Sequence, residues 1–434
     1  MSDYQELRAS ALEALGQGDA ATAFYRLRGA LSWPGPAEDA ALFDALTLMS
    51  QVVAPMAGPE IASLFASAGR GPDPRRLRDL GHGLMDMGLP DVAATLLERC
   101  RRLAPDQERV LLELVSALDA LGASGAALSL LKAAPAALAR SGALRHALAA
   151  HAAQTGDLDA ARGLLDRLGA PEDDEQRLIQ AWLQRVHIRA QLTRPITGLD
   201  PSDLRGWQYA LTGTTVLHLS EHGHPEPMGG RYAWVQDTPD TVRICVERLR
   251  AALRAAGEPP PALIPLPDRD SEILALAAGA LLDLPVRPWP VRGVPAPALL
   301  VAYDLREAAP AALASLFQRA PGQILWSHVG CWTEAGPIAP DIVSFLAQYA
   351  VSSWGERLAM NPDTQEVEHR PADLRPAEAI AAEIAALPAP GPDEGPLDDV
   401  PGLEALARAD LQIPARRPRE RWTLGSPVSS NRFT

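Results

Sequence analysis

Three glycines spaced 34 residues apart constrain the fold of this 434-residue chain more than any other feature. Gly88, Gly122 and Gly156 each end an apolar helical stretch, and a second helical stretch opens after a short polar turn. A fixed period of this length predicts repeated helix pairs, because a single pair cannot bury its apolar face and must stack on its neighbours. We therefore expect a helical repeat domain over residues 1–190.

Each repeat continues with small and then bulky apolar residues at fixed distances from its glycine. These positions hold Ala93, Ala127 and Ala161, and then Leu96, Leu130 and Leu164. The alanines let two helices cross closely, and we expect the leucines to fill the space between neighbouring pairs. The sequence around Gly16 follows the same pattern of helix, glycine turn and second helix, and residues 52–69 leave room for a degenerate helix pair before Gly88.

This pattern resembles the tetratricopeptide repeat (TPR) family, whose units are 34-residue helix pairs. The glycine at the end of the first helix, the alanine in the second helix and Pro105 after it match the family over about residues 3–170. The Trp and Tyr usual in the first helix are missing. The resemblance implies a helical solenoid that holds a peptide or partner protein on its concave face.

Charge and the scarcity of lysine exclude several classes of function. The formal net charge is -14, so general binding to nucleic acid is not expected. Lys132 is the single lysine of the sequence and lies in a predicted repeat helix, which argues against a Walker A loop or a Schiff-base enzyme. Cys100, Cys245 and Cys331 form no CxxC pair, so no disulfide framework or cysteine zinc site is indicated. We expect no cofactor.

The first residues, MSDYQELRAS, contain no apolar segment of signal-peptide type. No uncharged run of 18 apolar residues is present, so no membrane insertion is expected. The sequence therefore predicts a cytoplasmic protein. Its preference for arginine over lysine is typical of a GC-rich bacterial genome.

From about residue 195 the sequence changes to short apolar runs that alternate with helical stretches. Strands are predicted over 214–220, 231–236, 261–267, 298–305 and 322–330, and helices over 238–257, 269–284, 307–320 and 339–354. Such alternation predicts a parallel-sheet α/β domain over residues 195–385. The predicted fold class is therefore α plus α/β, with a TPR-like helical solenoid, a parallel-sheet α/β domain and an extended tail.

Polar residues collect at the predicted carboxyl ends of these strands, where open α/β sheets bind ligands. They are His218, His222, His224, Asp268, Asp270, Asp304 and His328. Asp268 and Asp270 also suit capping of the helix that follows. Cys331 suits a buried thiol better than a nucleophile paired with His328, because such pairs usually come from different elements.

The three histidines in LHLSEHGHPEP offer zinc ligands, with Glu221, Glu226 or Asp270 as a further ligand. No HExxH motif or nearby cysteine accompanies them. The prolines and the Gly229–Gly230 pair favour a connecting loop between two strands. A connector, a metal site and a catalytic loop all stay open.

The segment ALIPLPDRDSEILALAAGALLDLPV, followed by LLVAYDL, is similar to the phosphoribosyltransferase-like fold. In that family the second strand runs into two acidic residues and a Thr/Gly-rich loop that cradles a phosphate. Here AYDLREAAPA keeps one of these acids, Asp304, lacks Gly, Ser and Thr in the loop, and carries Glu307, which would repel a phosphate. The resemblance therefore implies a degenerate, non-catalytic domain over about residues 210–355.

Residues 386–434 combine a Pro-rich linker with an Arg-rich tail. LPAPGPDEGPLDDVPG predicts an extended linker, and LEALARADLQ predicts a short helix. The tail then places Arg416, Arg417, Arg419 and Arg421 beside Trp422. This composition is typical either of a disordered end or of a segment that docks on an acidic partner or on the same chain.

Together these features favour a protein-interaction scaffold or adaptor in a larger assembly, whose partner is another protein or peptide. The competing interpretation is an enzyme with its active site at the sheet rim, either a metal-dependent hydrolase or a phosphoribosyltransferase-like enzyme. Convergence of the rim residues in one pocket favours the enzyme, and their dispersal favours the adaptor. Metal content and oligomeric state stay open.

Overall fold

The computed structural model describes residues 2–105, 107–220, 228–257, 259–290, 293–360, 366–389, 400–410 and 420–430. The chain divides into two compact units, Met1–Ile179 and Gln180–Thr434. The first unit is helical, and the second combines helices with a mostly parallel sheet. The predicted α plus α/β class is therefore confirmed.

The helices of the first unit follow one another through short turns. They are α1 (Ser2–Gly16), α2 (Ala20–Leu31), α3 (Asp39–Ala57), α4 (Pro59–Ala68), α5 (Pro74–Asp86), α6 (Pro90–Leu103), α7 (Glu108–Ala120), α8 (Ser124–Lys132), α9 (Pro135–Arg140), α10 (Gly142–Gln154) and α11 (Leu158–Leu165). α1 packs on α2, α3 on α4, α5 on α6, α7 on α8 and α10 on α11, and each of these pairs also contacts the next one.

The three glycines spaced 34 residues apart end the first helices of their pairs in the left-handed region. Their φ angles are 71° at Gly88, 64° at Gly122 and 85° at Gly156. At each turn two N–H groups donate back to the last turn of the helix, as Leu89 N does to Leu84 O at 2.9 Å. This Schellman motif satisfies carbonyl groups that the helix end leaves without partners. Glycine suits it because a Cβ is strained in this conformation.

The small residues that follow the glycines are buried, as predicted. Ala93, Ala127 and Ala161 have exposed fractions of 0%, 0% and 4%. Leu96 is buried too, whereas Leu130 and Leu164 are only half-buried. The leucine position therefore fills an interior gap in one pair of the three.

The first two pairs depart from the 34-residue period. The turn between α1 and α2 is at Gly18, with φ 81°, whereas Gly16 is still helical. α3 and α4 meet at Gly58, with φ 88°. α3 is the one described helix that is long and apolar enough to cross a membrane, but the core helix of a soluble protein passes the same test.

The second unit contains the remaining helices and the described strands. The helices are α12 (Asp174–Thr197), which begins shortly before the unit boundary, α13 (Leu204–Thr212), α14 (Pro239–Ala255), α15 (Arg269–Leu282), α16 (Pro310–Leu316), α17 (Ala377–Ala386) and α18 (Val400–Asp410). The strands are β1 (Thr215–Val216), β2 (Tyr232–Gln236), β3 (Leu263–Pro265), β4 (Ala298–Asp304), β5 (Gln323–Gly330), β6 (Ile342–Val351), β7 (Arg357–Met360) and β8 (Val367–Arg370).

The main sheet is parallel, in the order β1-β6-β5-β4-β3. β2 also pairs with β6, beside its second half from Ala347, while β1 pairs with its first half from Ile342. β1 and β2 therefore act as one interrupted edge strand. At the opposite edge Val286 forms a parallel bridge with Leu263 of β3.

The helix predicted over residues 339–354 is wrong, because Ile342–Val351 forms β6, the strand between β5 and the β1/β2 edge. Its first seven residues are buried without interruption. A strand covered on both faces has no two-residue alternation of apolar and polar side chains, so its sequence looks like that of a buried helix.

β5 and β6 are joined by residues 331–341 without a helix, although parallel strands usually need a helical crossover. We call these residues the crossover loop. Gly336 of this loop forms an antiparallel bridge with Trp422. Trp422 belongs to residues 420–430, which we call the C-terminal segment. This segment covers the crossover loop.

The two faces of the sheet carry separate cores. One face packs on α14, α15, α17 and α18 and includes Tyr303, Trp326 and Phe345. The other face packs on α16 and on Ile338 of the crossover loop. Helices therefore lie on both faces of the sheet.

Two further elements follow the sheet. β7 and β8 form an antiparallel hairpin of their own, which the sequence did not predict. Its Leu358, Met360 and Val367 side chains are exposed. α18 overlaps the short helix predicted over residues 403–412. Residues 390–399 of the predicted linker lie outside the described residues.

Candidate functional site

A cavity of about 290 Å³ lies at the carboxyl ends of β4 and β5. Its lining residues come from both strand ends, the crossover loop, α16 and the C-terminal segment: Asp304, Leu305, Arg306, Leu313, Ser327, Val329, Gly330, Cys331, Glu334, Ala335, Gly336, Pro337, Ile338, Pro340 and Trp422. Most of them are apolar. Ligands of parallel sheets bind beyond the carboxyl ends of the strands, so this cavity is a candidate ligand site.

The charged groups at this cavity are paired with one another. Arg306 Nη2 donates to Asp304 Oδ2 at 2.6 Å, and Arg306 Nη1 donates to the Gln348 carbonyl at 3.2 Å and to Glu334 at 3.5 Å. Burial alone would lower the pKa of Arg306, but hydrogen bonding to Asp304 and its negative charge raise it more, so the net shift is upward. The guanidinium therefore stays charged and neutralises Asp304.

Cys331 lines the cavity but is not paired with His328. Its thiol lies 3.3 Å from Thr333 Oγ1. The ring of His328 is bonded elsewhere, through Nδ1 to Ser344 Oγ at 3.0 Å and through Nε2 to Asp237 Oδ2 at 3.1 Å. Cys331 is a buried thiol, in agreement with the favoured sequence interpretation.

His328 belongs instead to a buried hydrogen-bond network. Tyr303 OH donates to Asp237 Oδ2 at 2.9 Å, the same oxygen that His328 contacts. Trp326 Nε1 donates to Ser344 Oγ at 2.9 Å. The side chains of His328 and Asp237 are 0% exposed, so solvent does not reach this network in the structure.

The serine, histidine and aspartate of this network match a hydrolase triad in composition only. A catalytic serine must present its oxygen to a substrate. Ser344 is fully buried, and its oxygen accepts a hydrogen bond from Trp326. The arrangement suits a structural role, in which buried polar groups satisfy one another.

Tyr303 lies at the centre of this network. Burial raises the pKa of its phenol well above the usual value, and the negative charge of Asp237 adds to the shift. The phenol is therefore neutral at physiological pH and serves as a donor. The rings of His328 and Trp354 pack against it, with centroid distances of 5.3 and 5.4 Å.

Asp268 and Asp270 lie at the start of α15 and join the network at Tyr303. Asp268 caps the helix by accepting from the backbone N and the hydroxyl of Ser271, each at 2.8 Å, and burial raises the pKa of its carboxyl. Ser271 Oγ accepts from Tyr303 N at 2.9 Å. Asp270 accepts from Trp354 Nε1 at 2.7 Å. Asp268 is therefore used in capping α15 and Asp270 in bonding Trp354, and neither carboxylate lines the cavity.

His218 is buried and is hydrogen-bonded to other side chains. Its Nε2 is 2.7 Å from Tyr232 OH, and its Nδ1 is 2.9 Å from Arg248 Nη1. His222 and His224 lie outside the described residues, so the predicted histidine metal site stays a prediction. Among the described residues, no group of three or more His, Cys, Asp or Glu side chains is arranged to hold a metal ion.

The predicted partner-binding tail is described only in part. Trp422 is buried in the second unit, and its Nε1 donates to the Cys331 carbonyl. Arg421 is exposed. Arg416, Arg417 and Arg419 lie outside the described residues, and their role stays a prediction.

Sequence reasoning missed a buried cluster of charges around Glu420. Arg185 donates to its carboxylate from Nε at 2.6 Å and from Nη2 at 2.8 Å, and Arg189 donates from Nη1 at 3.0 Å. The side chains of Glu420 and Arg189 are each 4% exposed. Burial lowers the pKa of Arg189, and the Glu420 carboxylate opposes this shift. No local motif signals the cluster, because Glu420 is 235 and 231 positions from the two arginines in sequence.

No protein family model matches the chain. A comparison with curated proteins likewise finds no significant match.

Proposed function

We propose that the chain is a protein-interaction scaffold of the cytoplasm, part of a larger assembly, whose helical unit is a TPR-like solenoid that binds a peptide or partner protein. The observation that carries this proposal is the set of three Schellman turns with a 34-residue spacing, each followed by a helix with a buried alanine. Stacked pairs of this kind present one row of first helices to a partner.

The first helices of three successive pairs lie next to one another, since α5 contacts α7 and α7 contacts α10. Polar side chains approach each other along this row. His82 Nδ1 lies 4.0 Å from Glu113 Oε1, and His151 Nδ1 lies 4.0 Å from Asp119 Oδ1. Asp79 and Asp119 are exposed. Exposed polar groups on rigid helices suit the recognition of a polar peptide.

The rim of the sheet supports a non-catalytic role for the second unit. Asp268 caps a helix, Asp304 is paired with Arg306, and His328 is enclosed in the buried network. The fold itself uses each of these groups. None of them is aimed into the cavity as an unpaired acid, base or nucleophile.

Charge reversal on the row of first helices tests the proposal. We would prepare the full chain with Asp79→Arg and Asp119→Arg, and a control with Glu60→Arg and Asp159→Arg. All four side chains are exposed, and the control positions lie on second helices, so both variants change the charge equally.

Quantitative mass spectrometry would then compare the proteins captured from native extract. A partner that the first variant loses and the control keeps supports the scaffold. Equal capture by both variants, or equal loss from both, contradicts the assignment of this face as the binding face.

One observation favours an enzyme as the second candidate, namely the 290 Å³ cavity at the carboxyl ends of β4 and β5. Elemental analysis and native mass spectrometry of the purified chain test it. Stoichiometric zinc that is lost in His222→Ala/His224→Ala, and kept in the control His82→Ala/His369→Ala, would make a metal-dependent hydrolase the leading function. A bound phosphoribosyl compound would favour the transferase instead.

A further inference from the structure

The α/β unit holds the C-terminal segment in the way that domains hold a bound peptide. Trp422 N donates to Gly336 O at 3.0 Å, and Gly336 N donates to Trp422 O at 3.2 Å. Two residues earlier, Ala339 N donates to Glu420 O at 2.8 Å. These backbone bonds add a short antiparallel strand to the crossover loop, which is the geometry of recognition by strand addition.

Alternate side chains of the segment enter two pockets. Glu420 and Trp422 are buried, whereas Arg421 between them is exposed. The first pocket presents the guanidinium groups of Arg185 and Arg189 to the Glu420 carboxylate. An uncompensated buried charge is costly, so this pocket requires an acid.

Two glycines lie against Trp422 in the second pocket. A Cβ at Gly330 would meet Val343 and Leu346 first, at 2.7 and 3.0 Å, and would lie 3.3 Å from the Trp422 ring, whereas one at Gly336 would be in ordinary contact with Trp422 Cβ at 3.4 Å. The indole nitrogen donates to the Cys331 carbonyl. The pocket is therefore fitted to a flat aromatic side chain with one hydrogen-bond donor.

A third contact lies further along the segment. Arg231 Nη1 donates to Val428 O at 3.3 Å, and a Cβ at Gly229 would lie 2.6 Å from Val428 Cγ1. The segment is thus held by its backbone and by separate anchors along its length, as extended peptides are.

We propose that this groove is a peptide-binding site, which the C-terminal segment fills from within its own chain and which accepts an extended Glu-Xaa-Trp peptide of a partner protein in exchange. The site goes beyond the scaffold function and does not depend on it, because its residues all belong to the second unit. A tethered segment reaches a high effective concentration, on the order of millimolar, so a partner peptide binds only by displacing it. Displacement also removes one wall of the cavity, since Trp422 lines it.

Cutting the tether tests the exchange. Residues 411–419 of the full chain would be replaced by the recognition sequence of a specific protease, and the folded protein would be cut there. A fluorescein-labelled peptide of residues 420–430 is then added, and binding is followed by fluorescence anisotropy. We expect the cut segment to leave and the labelled peptide to bind saturably.

Two peptide variants distinguish binding through the proposed anchors from nonspecific binding. Glu420→Gln in the peptide should weaken binding on the order of tenfold or more, because it leaves the buried Arg189 and the partly buried Arg185 without a carboxylate. Arg421→Gln, at the exposed position, should bind like the natural sequence. Equal binding of the two variants, a cut segment that never exchanges, or loss of the fold on cutting would each overturn the proposal.

Hydrogen exchange on the uncut chain gives an independent measurement. We expect the amides of Gly336, Ala339 and Trp422 to exchange by local opening, about 100-fold faster than the amides of β4 and β5. Equal protection would show that the segment opens only when the whole unit unfolds. It would then be a part of the core and not a ligand.

Discussion

The Asp237 carboxylate offers the sharpest test of a structural role for the buried network. Asp237→Ala removes the acceptor of the Tyr303 hydroxyl and the partner of His328 Nε2. Each buried polar group left without a partner costs about 1–3 kcal/mol. The two groups together should lower the free energy of unfolding of the second unit by about 2–6 kcal/mol. A typical domain has about 5–15 kcal/mol in all, so the effect is large.

Tryptophan fluorescence during urea unfolding measures this loss in the correct unit. Of the nine tryptophans, only Trp33 precedes residue 180. Asp240→Ala is the matched control, since it removes an exposed carboxylate from the first turn of α14 and should change the free energy by less than about 0.5 kcal/mol.

The same substitution in a Tyr303→Phe background isolates the hydroxyl. Phenylalanine has no hydroxyl that could lose its acceptor, so the loss of unfolding free energy caused by Asp237→Ala should be smaller by about 1–3 kcal/mol. A cost below about 1 kcal/mol in the natural background would refute the reasoning. Identical costs in both backgrounds would do so as well.

Three further perturbations have expected directions. The pKa of Tyr303 is raised in the folded state, so the contribution of this tyrosine to stability is complete below about pH 10 and is lost as the pH rises further. Urea titrations from pH 8 to 12 should therefore show a smaller alkaline loss of stability for Tyr303→Phe than for the natural chain. Parallel curves would contradict the raised pKa. Gly88→Ala places a Cβ at φ 71° and should destabilise the helical unit by about 1 kcal/mol in thermal unfolding. Gly125→Ala, at the second residue of α8 with open space around it, should change the stability by less than about 0.5 kcal/mol, and equal losses from both variants would refute the turn assignment. Burial lowers the pKa of His151, so the contribution of its neutral ring to stability is present above about pH 6.5 and is lost as the pH falls below that value. His151→Gln should therefore reduce the difference in stability between pH 7.5 and pH 5. An unchanged difference would count against the lowered pKa.

The helical unit was predictable because its turns are set by local chemistry. A left-handed turn needs glycine, and a helix start needs a capping side chain, so both leave marks at fixed distances in the sequence. The misplaced turn at Gly16 shows the limit of this reasoning. Two glycines stand close together, and the cap decides between them, because Asp19 accepts from Thr22 N and so places the turn at Gly18.

β6 could not be predicted from its pattern. Both of its faces are covered, and local periodicity does not distinguish such a strand from a buried helix. Its strand character follows from neighbours distant in sequence, namely β5 on one side and β1 and β2 on the other. The hairpin of β7 and β8 was missed for another reason. Each strand has only four residues, the shortest run in which alternation can be recognised, and the apolar side chains of Leu358 and Met360 are exposed and mark no buried face.

The candidate site divides in the same way. Capping by Asp268 depends on residues three positions apart and was weighed from the sequence. The buried network joins Asp237 after β2, Tyr303 in β4 and His328 in β5, so no spacing in the sequence connects them. The sequence likewise gives no sign of the ion pair of Arg189 with Glu420, because these residues are 231 positions apart.

The split edge strand has a consequence for the newly made chain. β1 pairs with β6 alone in the described sheet, Thr215 with Ile342, and β2 also depends on β6. A ribosome that adds 5–20 residues per second takes on the order of ten seconds to pass from one strand to the other. During that interval the first strands of the sheet have no place to pair. The edge of the sheet is therefore completed only after β6 has been made.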